Sequence, residues 1–245
     1  LRLAKKRVAT TIAIADITGA WTILQVMNAL SKFATTAISL ATQYSLLEAQ
    51  SNGVLRLPCS KHPEKDSGLI ILGMGKLGGT ELNYSSDVDL MILYDPERIV
   101  TTKPDDLQIN FVRLTRLLVK LLEKHTDDGY VFRTDLRLRP DPGSTPLALP
   151  IIGAETYYES LGQNWERAAL IKARPIAGDI AAGNSFLKKL SPFIWRKHLD
   201  FAAIEDIHSI KRQIHTHKGG NTIQILGHNV KIGSGGIREI EFFTQ

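Results

Sequence analysis

Two carboxylates two positions apart, Asp87 and Asp89, open the apolar run DVDLMILYD at 87–95. Side chains on a strand alternate faces, so this pair shares one face while Val88 and Leu90 share the other. Like charges side by side repel, and folding alone gives no reason to place them there. A divalent cation is the natural reason, and Mg²⁺ is a hard ion that takes one or two carboxylates together with substrate phosphates. Just upstream stand a short apolar strand, Leu69 to Leu72, and a glycine-rich turn with a single lysine: Gly73, Gly75, Lys76, Gly78 and Gly79. The spacing predicts that Gly78 and Gly79 open a short helical turn whose backbone N–H groups face a phosphate. A metal-holding aspartate pair beside a phosphate-facing turn is the layout of a nucleotidyl-transfer site.

A second informative stretch is YVFRTDLRLR at 130–139. Period-two alternation predicts a strand over all ten residues, with Phe132, Thr134, Leu136 and Leu138 on one face and Arg133, Asp135, Arg137 and Arg139 on the other. Arginine holds phosphate by a bidentate fork. The strand returns from a helix that follows the Asp87/Asp89 strand, so Asp135 is placed to supply a third carboxylate.

Two better-known phosphate motifs are excluded. Gly73, Gly75 and Gly78 match G-x-G-x-x-G, with Asp95 about 20 residues further on. Only about nine residues separate Gly78 from the next strand, too few for the crossover helix and loops of a dinucleotide-binding unit. A P-loop fails because Lys76 is followed by Leu77, where a metal-binding Ser or Thr is required.

The elements that must position these groups can be read in order. Residues 1 to 50 have helical periodicity with a break at Thr18-Gly19, and Ile23, Val26, Met27, Leu30, Phe33, Ala34 and Ala37 mark an apolar face. Ser51 to Ser67 reads as a connector. Pro104 suits the first turn of a helix whose core face is Leu107, Phe111, Leu114, Leu118 and Leu121. After Arg139 a loop runs to Pro150, followed by two helices, 154–161 and 163–173, broken at Gly162. In the second helix Arg167 and Arg174 share a face, as do Trp165 and Lys172; Trp165 suits base stacking and core packing equally. Residues 186–216 are helical in pattern and carry His208, His215 and His217, which lack partners at zinc-site spacing. A hairpin at 222–232 leads into a second glycine-rich turn, Gly233 to Gly236, and then IREIEFF, where Glu241 needs a partner such as Arg238, another arginine or a metal. This divides the chain into a helical region at 1–55, a catalytic core at 56–180, and a helical and hairpin segment at 181–245.

Composition bounds the function more loosely. At 245 residues and 43% apolar content, the chain can bury a large core. The net charge of +5 is spread along the sequence; it suits an anionic ligand and lacks the clustered basic footprint of a nucleic-acid protein. Cys59 is the only cysteine, so no internal disulfide forms, and a reducing, cytoplasmic setting is expected. No apolar stretch is long enough to span a bilayer. The chain begins on Leu1 and stops at Gln245 inside a helical pattern, and reads as a piece of a longer protein.

Four blocks, GMGKLGGTELNYSSDVDLMILYD, FRTDLRLRPDP, NWERAALIKARPIAGD and GSGGIREIEFF, occur in this order. They resemble the signature blocks of the bacterial bifunctional glutamine synthetase adenylyltransferase/adenylyl-removing enzymes, and the last two resemble the amino-terminal copy of that family's two nucleotidyltransferase domains. The resemblance implies an α+β fold of the DNA polymerase β type with helical flanks. It implies Mg²⁺, with Mn²⁺ as the alternative, held by Asp87, Asp89 and Asp135. Gly78, Gly79, Lys76, Ser86, Arg137, Arg139, Arg167 and Lys172 are then the nucleotide- and phosphate-binding candidates. It further implies glutamine synthetase and a PII-type signal protein as partners, with phosphate, ADP and ATP as small ligands. The implied reaction is phosphorolysis of AMP-tyrosyl glutamine synthetase, and the other copy would attach AMP from ATP. Two competing readings are a nucleotidyltransferase acting on a small molecule or RNA end, and a regulatory domain that only binds nucleotide. Three carboxylates speak against the second, since binding alone does not require them.

Overall fold

The computed structural model describes residues 1–101, 104–195, 230, 235–237 and 240–241. The amino-terminal helices are α1, Arg2–Ile17, and α2, Ile23–Ser51. The break falls at Thr18-Gly19, and α2 starts on a capping box: the Gln25 amide donates to the Thr22 hydroxyl, and the Gln25 side-chain oxygen accepts the Thr22 N–H at 2.8 Å. Val26, Ala34, Ala37, Ile38, Ala41 and Leu46 of α2 are buried at helical spacing.

The centre is a mixed sheet. Its strands are β1, Leu69–Gly73; β2, Val88–Tyr94; β3, Thr134–Asp135; β4, Ala148–Pro150; and β5, Arg174–Gly178. Antiparallel β1 and β2 form its middle, and β5 runs antiparallel to β1 on the far side. On the other edge of β2 lie two short parallel strands: β3 beside its start and β4 beside its end. Because β1 and β2 are antiparallel neighbours, no crossover helix joins them, in keeping with the exclusion of a dinucleotide-binding unit.

Every residue of β1 is buried, as expected for an apolar run covered on both faces. Leu69 and Ile71 join Val88, Leu90 and Ile92 against α2 and a helix α4, Leu107–Glu123. Ile70 and Leu72 join Met91 and Leu93 against α5, Ile151–Ser160, α6, Asn164–Ile171, and α7, Ile180–Lys189. The strand alternation thus divides the core into two halves, giving three layers with the sheet between helices. The α4 face is the predicted one, with Phe111, Leu114 and Leu118 buried and the Phe111 ring stacked 4.6 Å from that of Tyr94. A four-residue helix, α3, covers Gly75–Gly78, and α8, Ser191–Ile194, ends the continuous part. Among the described residues no helix is long and apolar enough to cross a membrane.

The structure differs from the expected elements in four places. The strand expected over 130–139 pairs only at Thr134 and Asp135: β2 begins at Val88, and past Asp135 the Arg137 N–H turns to the Asp135 carboxylate instead of the ladder. The loop expected up to Pro150 closes in β4. A strand absent from the sequence reading, β5, carries Pro175, a residue tolerated there because β5 lies at the sheet edge beside a register shift. It also removes Arg174 from the helix face it was expected to share with Arg167. Finally, the helical turn opens at Gly75 and closes at Gly78-Gly79, the reverse of the expected polarity: the Gly78 and Gly79 amides donate to the Met74 and Gly75 carbonyls. The expected helix beyond residue 195, its histidines, the hairpin, Arg238 and Glu239 lie outside the described residues.

Gly78 has a packing reason to be glycine. A Cβ there would sit 1.9 Å from the Lys172 carbonyl oxygen and 2.6 Å from that of Gly73, both backbone atoms. Gly78→Ala is therefore expected to destabilise the fold by about 3 kcal/mol or more. In Gly143→Ala the nearest contact would be an ordinary 3.7 Å, so the change should stay within about 0.5 kcal/mol. Denaturant midpoints of the two variants check the contrast.

Candidate active site

The glycine turn and the aspartates meet through the backbone. Beyond the last paired residues of β1 and β2, the Met74 N–H donates to the Asp89 carbonyl at 2.9 Å. Gly75 follows with φ +51, and a Cβ on it would lie 2.9 Å from Asp89 Oδ2. Only glycine accepts that backbone angle and that carboxylate together. Asp89 therefore overhangs the start of α3, where the first-turn N–H groups have no intrahelical partner. Lys76 is exposed on this turn.

The third aspartate arrives by strand register. In the β2–β3 pair Val88 lies opposite Thr134 and Asp89 opposite Asp135. Glu123, at the end of α4, fixes this two-residue strand, since its Oε1 accepts both the Thr134 N–H and the Thr134 hydroxyl at 2.7 Å. Asp87 stands just before β2 and is exposed.

Arg133 and Arg137 engage Asp87 and Asp135. Arg133 Nε donates to Asp87, and its Nη groups donate to the Ser85 carbonyl at 2.9 Å and the Tyr130 hydroxyl at 3.1 Å. Arg137 grips Asp135 through Nε and Nη2 at 3.0 and 2.6 Å, and its backbone N–H adds a bond of 2.8 Å. The side-chain hydrogen bond from Arg137 holds the Asp135 carboxyl below the ordinary aspartate range, against partial burial. With the side chains turned this way, no three acidic, histidine or cysteine groups converge on one point among the described residues. Register sets Asp89 opposite Asp135, with Asp87 one residue before β2, and carboxylate oxygens are the donors that a hard cation takes.

The remaining candidates fall in different places. The Ser86 hydroxyl donates to Asn83 Oδ1 at 2.7 Å and shapes the turn before Asp87. Arg139 is buried, and its Nη groups donate to the carbonyls of Leu136, Pro142 and Thr145, folding the loop after β3. Arg167 is buried on α6, away from the aspartates' cavity. Lys172 lies beside the closing end of the glycine turn and donates to Glu81 at 2.8 Å and Glu241 at 3.5 Å. Burial opposes its charge, but these two carboxylates keep its pKa above the ordinary lysine value. Glu241 thereby has the partner that the sequence required, a lysine. Arg174, from β5, caps the turn by donating to the carbonyls of Gly78 and Leu77.

An open cavity of about 770 Å³ adjoins Asp87 and Asp135. Asp87, Asp135, Arg133, Arg137 and Arg139 line one side, and Arg116, Val119 and Glu123 of α4 line the other. The sequence reading did not single out Arg116 or Glu123. The available signal was their spacing: with Val119 they form an i, i+3, i+7 stripe next to the apolar face of α4.

A model of the glutamate-ammonia ligase adenylyltransferase family matches residues 1–189. The chain belongs to that family. A second model, GlnD PII-uridylyltransferase, matches residues 207–245. All 245 residues align with proteins named bifunctional glutamine synthetase adenylyltransferase/adenylyl-removing enzyme, at 58% identity in Rhizobium meliloti, 56% in Agrobacterium fabrum and 55% in Mesorhizobium japonicum. The chain spans about a quarter of the length of these curated relatives, 25% in each.

Two outcomes follow for this family member. Glu123→Ala leaves two Thr134 donors without their acceptor and should cost about 1–3 kcal/mol, whereas Glu123→Gln, which keeps the oxygen, should retain most of the stability in a denaturant titration. Asp135 has a lowered pKa in the fold, so its pairing adds stability that is complete above the ordinary aspartate value and is lost as pH falls through the lowered one. Unfolding midpoints measured at stepped acidic pH should show a shallower loss in Asp135→Asn than in wild type.

Proposed function

We propose that this chain is the adenylyl-removing domain of its family, phosphorolysing AMP-tyrosyl glutamine synthetase to ADP and unmodified synthetase. One observation carries the chemistry: Asp89 lies in register with Asp135 while its carboxylate overhangs the Gly75 turn. A small mixed sheet flanked by helices supports the DNA polymerase β-type fold that such chemistry uses. The direction of reaction rests on the NWERAALIKARPIAGD and GSGGIREIEFF blocks and their likeness to the amino-terminal copy.

In this reading Asp87, Asp89 and Asp135 would hold Mg²⁺, or Mn²⁺ in its place. When bound, the metal supplies neutralisation of charge on the phosphoryl group. An oxygen of inorganic phosphate forms a bond to the AMP phosphorus as the tyrosyl O–P bond breaks. The tyrosyl oxygen leaves as a phenolate and takes up a proton, and the products are ADP and the unmodified tyrosyl side chain of the synthetase. An anion here approaches an anion, and Arg133 and Arg137, already at the aspartates, are placed to offset the repulsion. A PII-type signal protein as regulator, and the cytoplasm as the setting, belong to the same proposal; nucleic acid and membrane have no part in it.

The test mixes the chain with AMP-modified glutamine synthetase, Mg²⁺ and phosphate, and follows ADP. Phosphate-dependent ADP release should fall by at least about 100-fold in Asp87→Asn, with the variant's fold confirmed by its melting curve. Absence of release from folded wild type, together with AMP attachment when ATP is supplied, would reassign the chain to the opposite reaction.

A further inference from the structure

The Arg133 guanidinium is held by more than the aspartate it pairs with. Its Nε–H donates to Asp87 Oδ1, its Nη2 to the Ser85 carbonyl at 2.9 Å and its Nη1 to the Tyr130 hydroxyl at 3.1 Å. The Arg133 and Asp87 side chains are 55% and 50% exposed, so solvent screens the pair and the other two acceptors decide where the guanidinium points. Ser85 belongs to the same exposed turn as Asp87, whereas Tyr130 is half-buried. The Tyr130 ring is packed in turn. Lys5 Nζ, from α1, lies 4.4 Å from its centroid, and the His125 ring lies 4.7 Å away. Lys5 Nζ is also 5.1 Å from the Phe132 ring, which has Phe33 of α2 as a neighbour at 6.0 Å. The Lys5 ammonium makes no hydrogen bond or ion pair among the described residues, so these two rings are what it rests on. Arg2 anchors the start of α1 here, its Nε donating to the carbonyls of Gly129 at 2.9 Å and Lys124 at 3.0 Å.

We infer that α1 is a positioning element of the candidate site, in which Lys5, through the Tyr130 ring, sets the direction of the Arg133 guanidinium toward Asp87. The inference rests on the place proposed for Arg133 beside the approaching phosphate and adds the groups that hold it there. Attraction between the ammonium and the ring keeps the ring from swinging, and the ring carries the hydroxyl that Arg133 uses. Partial burial and then the Arg133 charge hold the Lys5 pKa below the ordinary lysine value, so the two cations sense each other. One ring thus orders both, with the lysine over its face and the arginine at its hydroxyl. A guanidinium with all three nitrogens engaged has its plane fixed before an anion arrives.

NMR of the isotope-labelled chain reads Arg133 directly, through the rate at which its Nε–H exchanges with water; loss of the signal in Arg133→Lys assigns it. Exchange is expected to speed about 10-fold in Tyr130→Phe, which keeps the ring, and in Lys5→Met, which keeps the stem. Arg2→Ala, whose contacts reach neither Arg133 nor an aspartate, should act in the same direction by loosening α1. Lys5→Arg, which keeps a cation over the ring, should retain the wild-type rate, as should Lys6→Ala, which faces Asp128 at 4.0 Å. In the phosphorolysis assay Tyr130→Phe and Lys5→Met are expected to lower kcat/KM for phosphate about 10-fold, with the KM for the modified synthetase unchanged. Wild-type exchange in folded Tyr130→Phe or Lys5→Met overturns the inference. Faster exchange with phosphate kinetics equal to those of an active wild type overturns the part given to α1 in the reaction. A folded wild type without ADP release counts against the proposed reaction alone, and the exchange rates then decide the positioning.

Discussion

The 2.9 Å hydrogen bond from the Met74 N–H to the Asp89 carbonyl is the contact on which the site depends. It extends the β1–β2 ladder past its last paired residues and turns the chain at Gly75 back beneath the Asp89 carboxylate. The sheet supplies the rigidity that makes one such bond decisive. Both central strands are buried, with α2 and α4 on one face and α5 to α7 on the other, so neither can slide without moving both halves of the core. Gly78 closes the turn against the Lys172 backbone, and Arg174 of β5 caps its last carbonyls, so the opposite edge of the sheet holds the turn as well.

The electrostatic difficulty of three neighbouring carboxylates is met within the protein. Arg133 and Arg137 flank the two-residue strand that presents Asp135, one before it and one after, and each takes one aspartate. Pairs as exposed as these contribute little to stability, with exchange for a stronger ligand correspondingly easy. Their value lies in geometry: they fix the orientation of the two carboxylates. Asp89 lies opposite Asp135 in the strand register, with its carboxylate over Gly75.

Much of this was legible in the sequence, and the gaps have physical causes. Apolar runs announced β1 and β2, helical spacing announced α2 and α4, and the return path after α4 brought Asp135 to Asp89. The alternation YVFRTDLRLR satisfies the period of a long strand, yet the chain pairs with β2 at only two residues before the Arg137 N–H turns to the Asp135 carboxylate. Arg139 shows the same limit: its position suggested a phosphate-facing guanidinium, while loop carbonyls up to Thr145 fold around its Nη groups. Pro175 hid β5, because a proline is compatible with a strand only when the edge is free. The need for glycine at position 78 comes from the Lys172 backbone, far along the chain, which no local spacing encodes. The α4 wall of the cavity was present as a stripe of Arg116, Val119 and Glu123, masked by the stronger apolar stripe beside it.

The placing of β3 and β4 on one edge of β2 bears on how such a site changes over generations. The chain leaves that edge after Asp135 and returns to it at Ala148, so the excursion between begins and ends on a single buried strand. Lengthening a loop with fixed ends costs conformational entropy only logarithmically. Residues 136–147, which include part of the cavity lining, can therefore accept insertions and new side chains while the aspartates stay where the sheet holds them. The fold thus separates the aspartates, which the sheet holds, from the loop that lines the cavity beside them.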